Sequence, residues 1–193
     1  MTIDAKLLQR RLGVAQDGII GRDTWRAVFA RFGADPTKAR ALAIAMNVYA
    51  ATYDMMTPLR LSHFFAQLVH ESGSFRYMEE IASGAAYEGR KDLGNVVAGD
   101  GKRYKGRGPL QITGRANYQR FGRLIGIDIE DSPELAAHPS IGLHLALEYW
   151  RDRKLNAMAD RDDVVAVTKA VNGGSNGLSD RMAQLSKAKG LFA

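Results

Sequence analysis

Cysteine is absent from the 193 residues, and long hydrophobic runs are absent too. Without cysteine the chain forms neither a disulfide framework nor a thiolate metal site. No stretch approaches the roughly 18 consecutive apolar residues of a membrane-spanning helix, so we expect no membrane insertion. The opening residues, MTIDAKLLQRRLG, lack the apolar core and small-residue cleavage site of a secretory signal. These absences predict a protein that is made and first held in a reducing cytoplasm.

Positive charge is in excess, with 27 Lys and Arg against 21 Asp and Glu, a net charge of +6. A basic surface favours polyanionic partners such as nucleic acid, an acidic membrane or the acidic polymer of a bacterial wall. The same charge also serves solubility alone. It therefore does not choose among these partners.

The first 35 residues have the pattern of a separate helical segment. AKLLQRRLG predicts a short helix over 5–13 that ends in glycine, and RDTWRAVFARFG predicts a second helix over 22–33. The dipeptide Asp17-Gly18 marks the turn between them, and GADPTK reads as a linker.

This segment resembles the peptidoglycan-binding repeat found on many wall hydrolases. The spacing DGxxGxxTW fixes a glycine turn, a helix start and a buried aromatic residue together. The matching residues are Leu8, Gln9, Leu12, Gly13, Asp17, Gly18, Ile19, Ile20, Gly21, Thr24, Trp25, Ala27 and Val28. A helical hairpin packed on the main domain would have the same two helices, so the sequence allows both interpretations of residues 1–35.

From Lys38 onward the spacing of apolar residues is typical of a mainly helical domain. Thr57 is expected to cap a helix that begins at Pro58 and reaches VHES. Ser140 is expected to cap a later helix. Helical spacing also predicts helices over 37–54, 138–155, 161–174 and 179–192. Strand alternation is scarce, and the one candidate is a short hairpin between Gly89 and Gly101.

Two glutamates, Glu71 and Glu80, flank a predicted helix break. Glu71 lies three residues beyond Leu68, at the edge of an apolar stripe, where partial desolvation favours the neutral, proton-carrying form that a general acid needs. On one unbroken helix the two carboxylates would lie about 13 Å apart along the axis. Gly73 and Ser74 stop the helix instead, so the chain can fold back and bring both acids to one cleft. An acid and a base that face each other across water form the inverting arrangement of glycosidases. A solvated charge at a helix end is the alternative interpretation of Glu71.

A longer motif follows in YKGRGPLQITGRANY, residues 104–118. With HES before it and VNGG after it, this motif resembles glycoside hydrolase family 19, which contains chitinases and the peptidoglycan hydrolases of phages and bacteria. The pattern YxGRGxxQ(I/L)(T/S)…NY is long and specific, and the surrounding sequence is most similar to the bacterial and phage branch. The resemblance implies a mainly α, lysozyme-like two-lobed domain with a catalytic cleft over residues 38–193, beside the small helical segment of residues 1–35.

The resemblance also implies roles for single residues. Glu71 is expected to be the general acid and Glu80 the base, with Glu79 and Glu88 as other candidates for the base. Thr113 is expected to help hold the attacking water. The implied residues of the substrate site are Tyr104, Arg107, Gln111, Asn117, Tyr118, Asn172 and Arg181. Among them Tyr104 and Tyr118 would offer flat faces to sugar rings. Arg181 would support the catalytic glutamates.

The loop chemistry fits a sugar polymer. Gly106 and Gly108 let the backbone come close to a chain of sugars where side chains would collide. The basic residues of the loop suit a substrate that bears carboxylates, as peptidoglycan does and chitin does not. They are Lys102, Arg103, Lys105 and Arg107. The alternative interpretation of these basic residues is a loop that is exposed to solvent and binds no substrate.

Other kinds of site fit less well. Residues 101–106 begin like a phosphate loop, but Arg107-Gly108 follows where Lys-Ser/Thr is needed. His70-Glu71 begins like HExxH, but position 74 is serine, so we expect no metal. Nucleic-acid binding rests on charge alone, and we expect none.

The sequence therefore predicts a phage or prophage endolysin. It would hydrolyse β-1,4 glycosidic bonds of bacterial peptidoglycan by an inverting acid/base mechanism and so lyse the cell. We expect a monomer without a cofactor, held in the host cytoplasm until it is released to the periplasm and wall. A chitinase acting on chitin oligomers, a non-catalytic wall-binding protein and a lytic transglycosylase are the alternatives.

Overall fold

The computed structural model describes residues 2–193, and within that range the chain folds into ten α-helices without a β-strand. The helices are α1 (Ala5–Leu12), α2 (Arg22–Arg31), α3 (Pro36–Tyr49), α4 (Pro58–Glu71), α5 (Asp100–Arg103), α6 (Arg115–Ile125), α7 (Pro139–Asp152), α8 (Leu155–Ala159), α9 (Val164–Asn172) and α10 (Leu178–Phe192). The mainly helical fold class is confirmed. No helix of residues 2–193 has both the length and the apolar character needed to cross a bilayer.

Local sequence sets several helix ends as expected. Thr57 caps α4, since its Oγ1 accepts a hydrogen bond from the backbone N–H of Arg60 at 3.3 Å, and Pro58 is the first helical residue. Gly13 ends α1 in the left-handed conformation, with φ of 69°.

The predicted cap at Ser140 is wrong. Helix α7 begins at Pro139, the residue before Ser140, because the proline ring presets the helical φ. His138 therefore occupies the cap position. Ser140 therefore lies inside the first turn, where its hydroxyl contacts the His138 ring at 3.0 Å.

Helix α4 forms the centre of the main core. All residues from Leu61 to Val69 are buried, and the helix packs along α10. Helix α3 lies between α2 and α7. The ring of Phe64 meets Trp150 of α7 edge-on at a centroid distance of 5.2 Å. Glu71, the last residue of α4, is thus carried by a helix that is enclosed over most of its length.

Residues 2–35 pack into this same core. The Phe29 ring lies 5.2 Å from Phe65 of α4, and the Phe32 ring lies 6.2 Å from Phe192 of α10. Backbone bonding adds to this packing, because the N–H of Ile3 donates to the carbonyl of Met56 at 3.1 Å. The boundary near residue 35 thus separates two sequence patterns within one hydrophobic core. Binding of the segment to peptidoglycan stays a prediction.

A second region, residues 79–137, consists of short helices and turns. It joins the main core through α7, which contacts both α6 and the 3₁₀ helix Pro133–Ala137. Two further 3₁₀ helices, Ala85–Tyr87 and Lys91–Leu93, precede α5. This region carries the motif of residues 104–118 and packs it on the face of the larger helical core.

The short hairpin expected between Gly89 and Gly101 is absent from this described segment. Its backbone N–H groups are bound by nearby carboxylates instead. Asp100 accepts those of Val96 and Val97 at 3.1 and 3.0 Å. Glu88 accepts those of two glycines at 2.7 and 2.9 Å. Such local bonds compete with a strand ladder, so the segment folds into 3₁₀ turns and a short helix.

Deletion of residues 1–35 is expected to abolish cooperative unfolding, because it uncovers the faces of Phe65 and Phe192 that this segment buries. Loss of one buried phenylalanine costs about 3–5 kcal/mol, and a whole domain is stable by only about 5–15 kcal/mol. Circular dichroism melts of the truncated and full chains measure the effect. A truncated chain with a sharp transition at the full-length Tm would contradict the shared core. Ile19→Ser, a change at an exposed position of the same segment, should melt like the unmodified protein.

Candidate active site

Glu71 is partly buried and paired with an arginine. Its side chain keeps 20% exposure, and one carboxylate oxygen accepts a hydrogen bond from the guanidinium of Arg181 in α10. The same guanidinium donates to the side-chain oxygen of Gln67 and, at 3.4 Å, to the carbonyl of Asn176. A planar guanidinium held at three points fixes the orientation of the carboxylate beside it.

The chain reverses directly after Glu71. Gly73, Ser74 and Phe75 all have left-handed backbone, with φ of 56°, 62° and 64°. Such backbone is unfavourable for residues with a Cβ. Ser72 supports the reversal, since its hydroxyl donates to the carbonyl of Leu68 at 2.6 Å and accepts the N–H of Phe75 at 2.8 Å. The helix break expected at Gly73-Ser74 is therefore present.

Glu80 follows the reversal and is bound to the motif loop. Its backbone N–H donates to the carbonyl of Gly106 at 2.8 Å, and its carboxylate accepts the N–H of the same glycine at 3.1 Å. The other carboxylate oxygen accepts the Tyr87 hydroxyl at 3.1 Å. Burial, and next the bond to Glu80, raise the pKa of Tyr87 above its ordinary value, so the phenol stays protonated and keeps donating.

Three polar side chains converge on Gly106. A Cβ at this position would lie 2.7 Å from the amide oxygen of Gln111 and 3.3 Å from both the Glu80 carboxylate and the Thr113 hydroxyl. Only glycine leaves room for this arrangement. The structure thus brings Glu80, Gln111 and Thr113 together around one point of the motif loop.

The other two candidate bases are bound elsewhere. Glu79 forms ion pairs with Arg107 at 3.0 Å and Lys105 at 3.3 Å. The carboxylate of Glu88 holds the loop before α5 through two backbone N–H groups. Among the three candidates, Glu80 is the one whose carboxylate lies beside Gln111 and Thr113.

The expectation that Tyr104 and Tyr118 stack on sugar rings is wrong. Both rings are buried and lie 5.2 Å from each other in the core of the second region. Burial raises the pKa of Tyr118 to about 12. Its hydroxyl donates to the carbonyl of Lys105 at 2.7 Å and accepts from Arg107 at 3.0 Å. Neither tyrosine offers a free face to a ligand.

Arg107 is also buried, and its role in substrate binding stays a prediction. The guanidinium is bound by Glu79, by the Tyr118 hydroxyl and by the carbonyl of Arg103. Arg181 is buried as well, and its guanidinium contacts Glu71, which is the contact that an arginine supporting the acids would make.

Asn117 and Asn172 stabilise local backbone. The amide of Asn117 donates to the carbonyl of Thr113 at 2.8 Å, which holds the loop that carries this threonine. Asn172 ends α9 and closes the following turn, with bonds of 2.9 Å to the carbonyl of Asn176 and from the N–H of Gly174. Both side chains are half-buried, and their contact with a sugar stays a prediction.

The basic cluster of the loop offers less free charge than its sequence suggests. Lys105 and Arg107 are paired with Glu79, and Arg103 donates to two backbone carbonyls. Lys102 is exposed on α5. Within residues 2–193, no group of three or more His, Asp or Glu side chains is arranged to hold a metal ion.

The motif, the paired glutamate and the glycine-centred cluster agree with a sequence comparison. The model of glycoside hydrolase family 19, described as chitinase class I, matches residues 39–173. The chain belongs to glycoside hydrolase family 19. This hydrolase therefore cleaves glycosidic bonds. Residues 1–35 and helix α10 lie outside the match.

Relatives of this hydrolase occur in bacteria and plants. A glycosyl hydrolase family 19 domain-containing protein of Haemophilus influenzae is 36% identical over 177 residues, which cover 76% of this chain and 86% of the relative. An endochitinase of Arabidopsis thaliana is 31% identical over 136 residues, covering 70% of this chain and 47% of the plant protein. The chain thus spans about half the length of that plant endochitinase.

Solved structures share the fold. The class IV chitinase of Zea mays superposes with a TM-score of 0.68 at 24% identity, over 88% of this chain and 90% of the plant chain. Chitinase C of Streptomyces griseus superposes with a TM-score of 0.66 at 21% identity, over 79% and 82% of the two chains. The predicted lysozyme-like helical fold is confirmed.

Sequence reasoning missed three residues near the two glutamates. Gln67 accepts a hydrogen bond from Arg181, and Tyr87 donates one to Glu80. Tyr149 is buried, and burial raises its pKa above the ordinary value. The negative charge of nearby Glu71 adds to this rise. Gln67 precedes Glu71 by four residues, one helical turn, which is the signal that could have identified it. The other two lie in sequence contexts without such a signal.

Replacement of Arg181 by methionine should destabilise the hydrolase. It leaves the partly buried Glu71 carboxylate without its cation and Gln67 without its donor. Breaking a buried pair costs about 3–5 kcal/mol, and the exposed fifth of Glu71 favours the lower end of this range. Urea unfolding measures the loss. Because a neutral amide needs no cation, Glu71→Gln/Arg181→Met should recover much of the stability. A double variant no more stable than Arg181→Met alone would contradict the pairing.

Proposed function

We propose that the protein is an endolysin-type peptidoglycan hydrolase that cleaves β-1,4 glycosidic bonds by an inverting acid/base mechanism. Glu71 is the general acid and Glu80 the general base in this proposal. One observation carries it: the carboxylate of Glu80, the hydroxyl of Thr113 and the amide oxygen of Gln111 surround Gly106, in the region that follows the chain reversal after Glu71.

Glu71 is suited to give a proton to the leaving oxygen. Its carboxyl lies at the edge of the core, where a fifth of the side chain remains exposed and can meet a ligand. Arg181 can then stabilise the carboxylate that remains after proton transfer. The arginine is itself buried, so it stays beside Glu71 throughout the reaction.

Glu80 and Thr113 are suited to orient a water molecule. The Thr113 hydroxyl donates its own hydrogen to the carbonyl of Gln111 at 2.9 Å, so it can only accept a hydrogen bond from a water. The Glu80 carboxylate is an acceptor too. A water that donates one hydrogen to each turns a lone pair outward, toward an anomeric carbon. Glu80 removes a proton as this water attacks, and the single displacement inverts the centre.

Charge and the N-terminal segment support peptidoglycan as the substrate. The net charge of +6 favours a polymer that bears carboxylates. Residues 1–35 carry the DGxxGxxTW pattern that resembles a wall-binding repeat. We further propose that the protein acts as a monomer and stays in the host cytoplasm until it is released to the wall, where hydrolysis lyses the cell.

Chitin is the second candidate substrate. The named relatives and structural neighbours include chitinases, and two of the four basic residues of the motif loop, Lys105 and Arg107, share the carboxylate of Glu79. A chitinase would use the same acid and base on a neutral polymer.

Digestion of purified peptidoglycan, beside chitin oligomers, tests the proposal. The protein should release wall fragments with new reducing ends, and mass spectrometry of the borohydride-reduced products identifies the sugar and hence the bond. Glu71→Gln and Glu80→Gln should each slow cleavage by about 10²–10⁴-fold, as expected for loss of a general acid or base. Glu71→Gln should lose some Tm, because Arg181 keeps a hydrogen-bond acceptor but loses its counter-charge, so cleavage is compared well below the Tm of the variant.

Glu134→Gln is the matched control, since Glu134 is an exposed glutamate outside the motif of residues 104–118. It should cleave at the normal rate. Cleavage of chitin oligomers alone would replace peptidoglycan by chitin as the substrate. Normal cleavage by Glu71→Gln would refute the assignment of the acid, and anhydro-sugar products would indicate a lytic transglycosylase.

A further inference from the structure

We propose that Phe29, in the N-terminal segment, is a positioning residue for the reaction: it holds the left-handed turn that joins the helix of Glu71 to the strand-like stretch of Glu80. The inference rests on the proposed roles of these two glutamates. It gives residues 1–35 a function in catalysis that is separate from any binding to the wall.

The turn depends on tertiary contacts, because its own sequence does not favour it. Ser74 and Phe75 carry side chains and yet adopt φ of 62° and 64°. Non-glycine residues persist in this conformation when surrounding structure determines it. The Ser72 hydroxyl supplies one local bond, to the N–H of Phe75. Backbone bonds also close the turn, from the N–H of Ser74 to the carbonyl of Val69 at 2.8 Å and from the N–H of Tyr77 to the carbonyl of Ser72 at 3.0 Å. Side-chain packing on Phe75 adds the tertiary support.

Phe29 packs against both sides of the reversal. Its ring lies 5.3 Å from Phe75 in an edge-to-face contact, and 5.2 Å from Phe65 on α4. All three rings are fully buried. One side chain of α2 thus bridges the helix that ends in Glu71 and the turn that leads to Glu80.

Gly33 provides a second contact between the segment and the turn. It follows α2 with φ of 100°, and a Cβ there would lie 3.0 Å from the Cβ of Ser74. Glycine at this position lets the end of α2 close directly on the turn.

A displacement of the turn would reach Glu80 through a short and bonded stretch of chain. Glu80 lies five positions after Phe75, and the carbonyl of Met78 and the N–H of Glu80 are both bonded to the motif loop, at 2.8 Å each. A shift at Phe75 therefore alters the position of Glu80 relative to the fixed Glu71 or strains the bonds that hold the loop. Such a shift slows chemistry more than it weakens binding.

Phe32 offers a matched control for Phe29. Both are buried aromatic residues of the same helix and its cap, and both contact Phe65. Phe32 packs onward against Phe192, whereas Phe29 packs onward against Phe75. Substitution by leucine removes a ring in either case, but only Phe29→Leu releases the turn.

The experiment compares kcat and KM for Phe29→Leu and Phe32→Leu on soluble glycan strands from peptidoglycan and on a soluble N-acetylglucosamine oligomer, well below both melting temperatures. Both variants should lose Tm. Phe29→Leu should lower kcat by about tenfold or more with KM within about threefold, as expected for misplacement of a reacting group. Phe32→Leu should keep both constants within about twofold. Equal effects on kcat, or a normal kcat in folded Phe29→Leu, would overturn the proposal.

Phe75→Leu provides an independent arm if Phe29→Leu does not fold. It removes the contact between the two rings from the Phe75 side and should lower kcat in the same way. Phe29→Met fills the Phe29 site with a flexible side chain and is compared with Phe32→Leu in kcat and KM. In a double-variant cycle, Phe29→Met/Phe75→Leu should be no slower than the slower single variant, whereas independent effects multiply and would overturn the proposal. If the unmodified protein cleaves neither substrate, it is the proposed function that fails. If the unmodified protein cleaves a substrate and Phe29→Leu keeps a normal kcat, only the role of Phe29 fails.

Discussion

Glu80 lies nine positions after Glu71, and the candidate site depends on the way the chain reverses between them. A continued helix would direct the two carboxylates to different sides of one rod. Three consecutive left-handed residues, beginning at Gly73, turn the chain back instead. This backbone is costly for serine and phenylalanine. Local hydrogen bonds of Ser72 and burial of Phe75 offset that cost, so the reversal depends on local bonding and on tertiary packing together.

The site is assembled from parts that are distant in sequence. Glu71 ends α4, while its partner Arg181 lies 110 residues later in α10, outside the residues that the family model matches. The motif loop supplies Thr113 and Gln111 around Gly106. Helix α2 packs on the reversal through the contact between Phe29 and Phe75. The N-terminal segment, the motif region and α10 all contribute side chains to one hydrophobic core.

Local chemistry made part of this structure predictable. The N-cap at Thr57, the proline after it and the glycines beyond Glu71 fix where α4 begins and ends, so its position could be read from the sequence. The convergence of Gln111 and Thr113 near Glu80 followed from the resemblance of the motif. The orientation of Tyr104 and Tyr118 could not be predicted from the motif. The two rings pack on each other, and their hydroxyls donate to the carbonyls of Glu130 and Lys105. A local motif also could not reveal the pairing of its arginine with Glu79, or the side-chain capping that replaces the expected hairpin.

The central claim is that Glu71 and Glu80 act from opposite faces of a sugar in a single displacement. The most direct measurement is proton NMR of the new reducing end in the first minutes of hydrolysis of a β-1,4-linked substrate that the enzyme cleaves. A water activated by Glu80 predicts that the α anomer appears first and the β anomer grows only by mutarotation. Initial formation of the β anomer would require a double displacement and would contradict the assignment of Glu80 as a base.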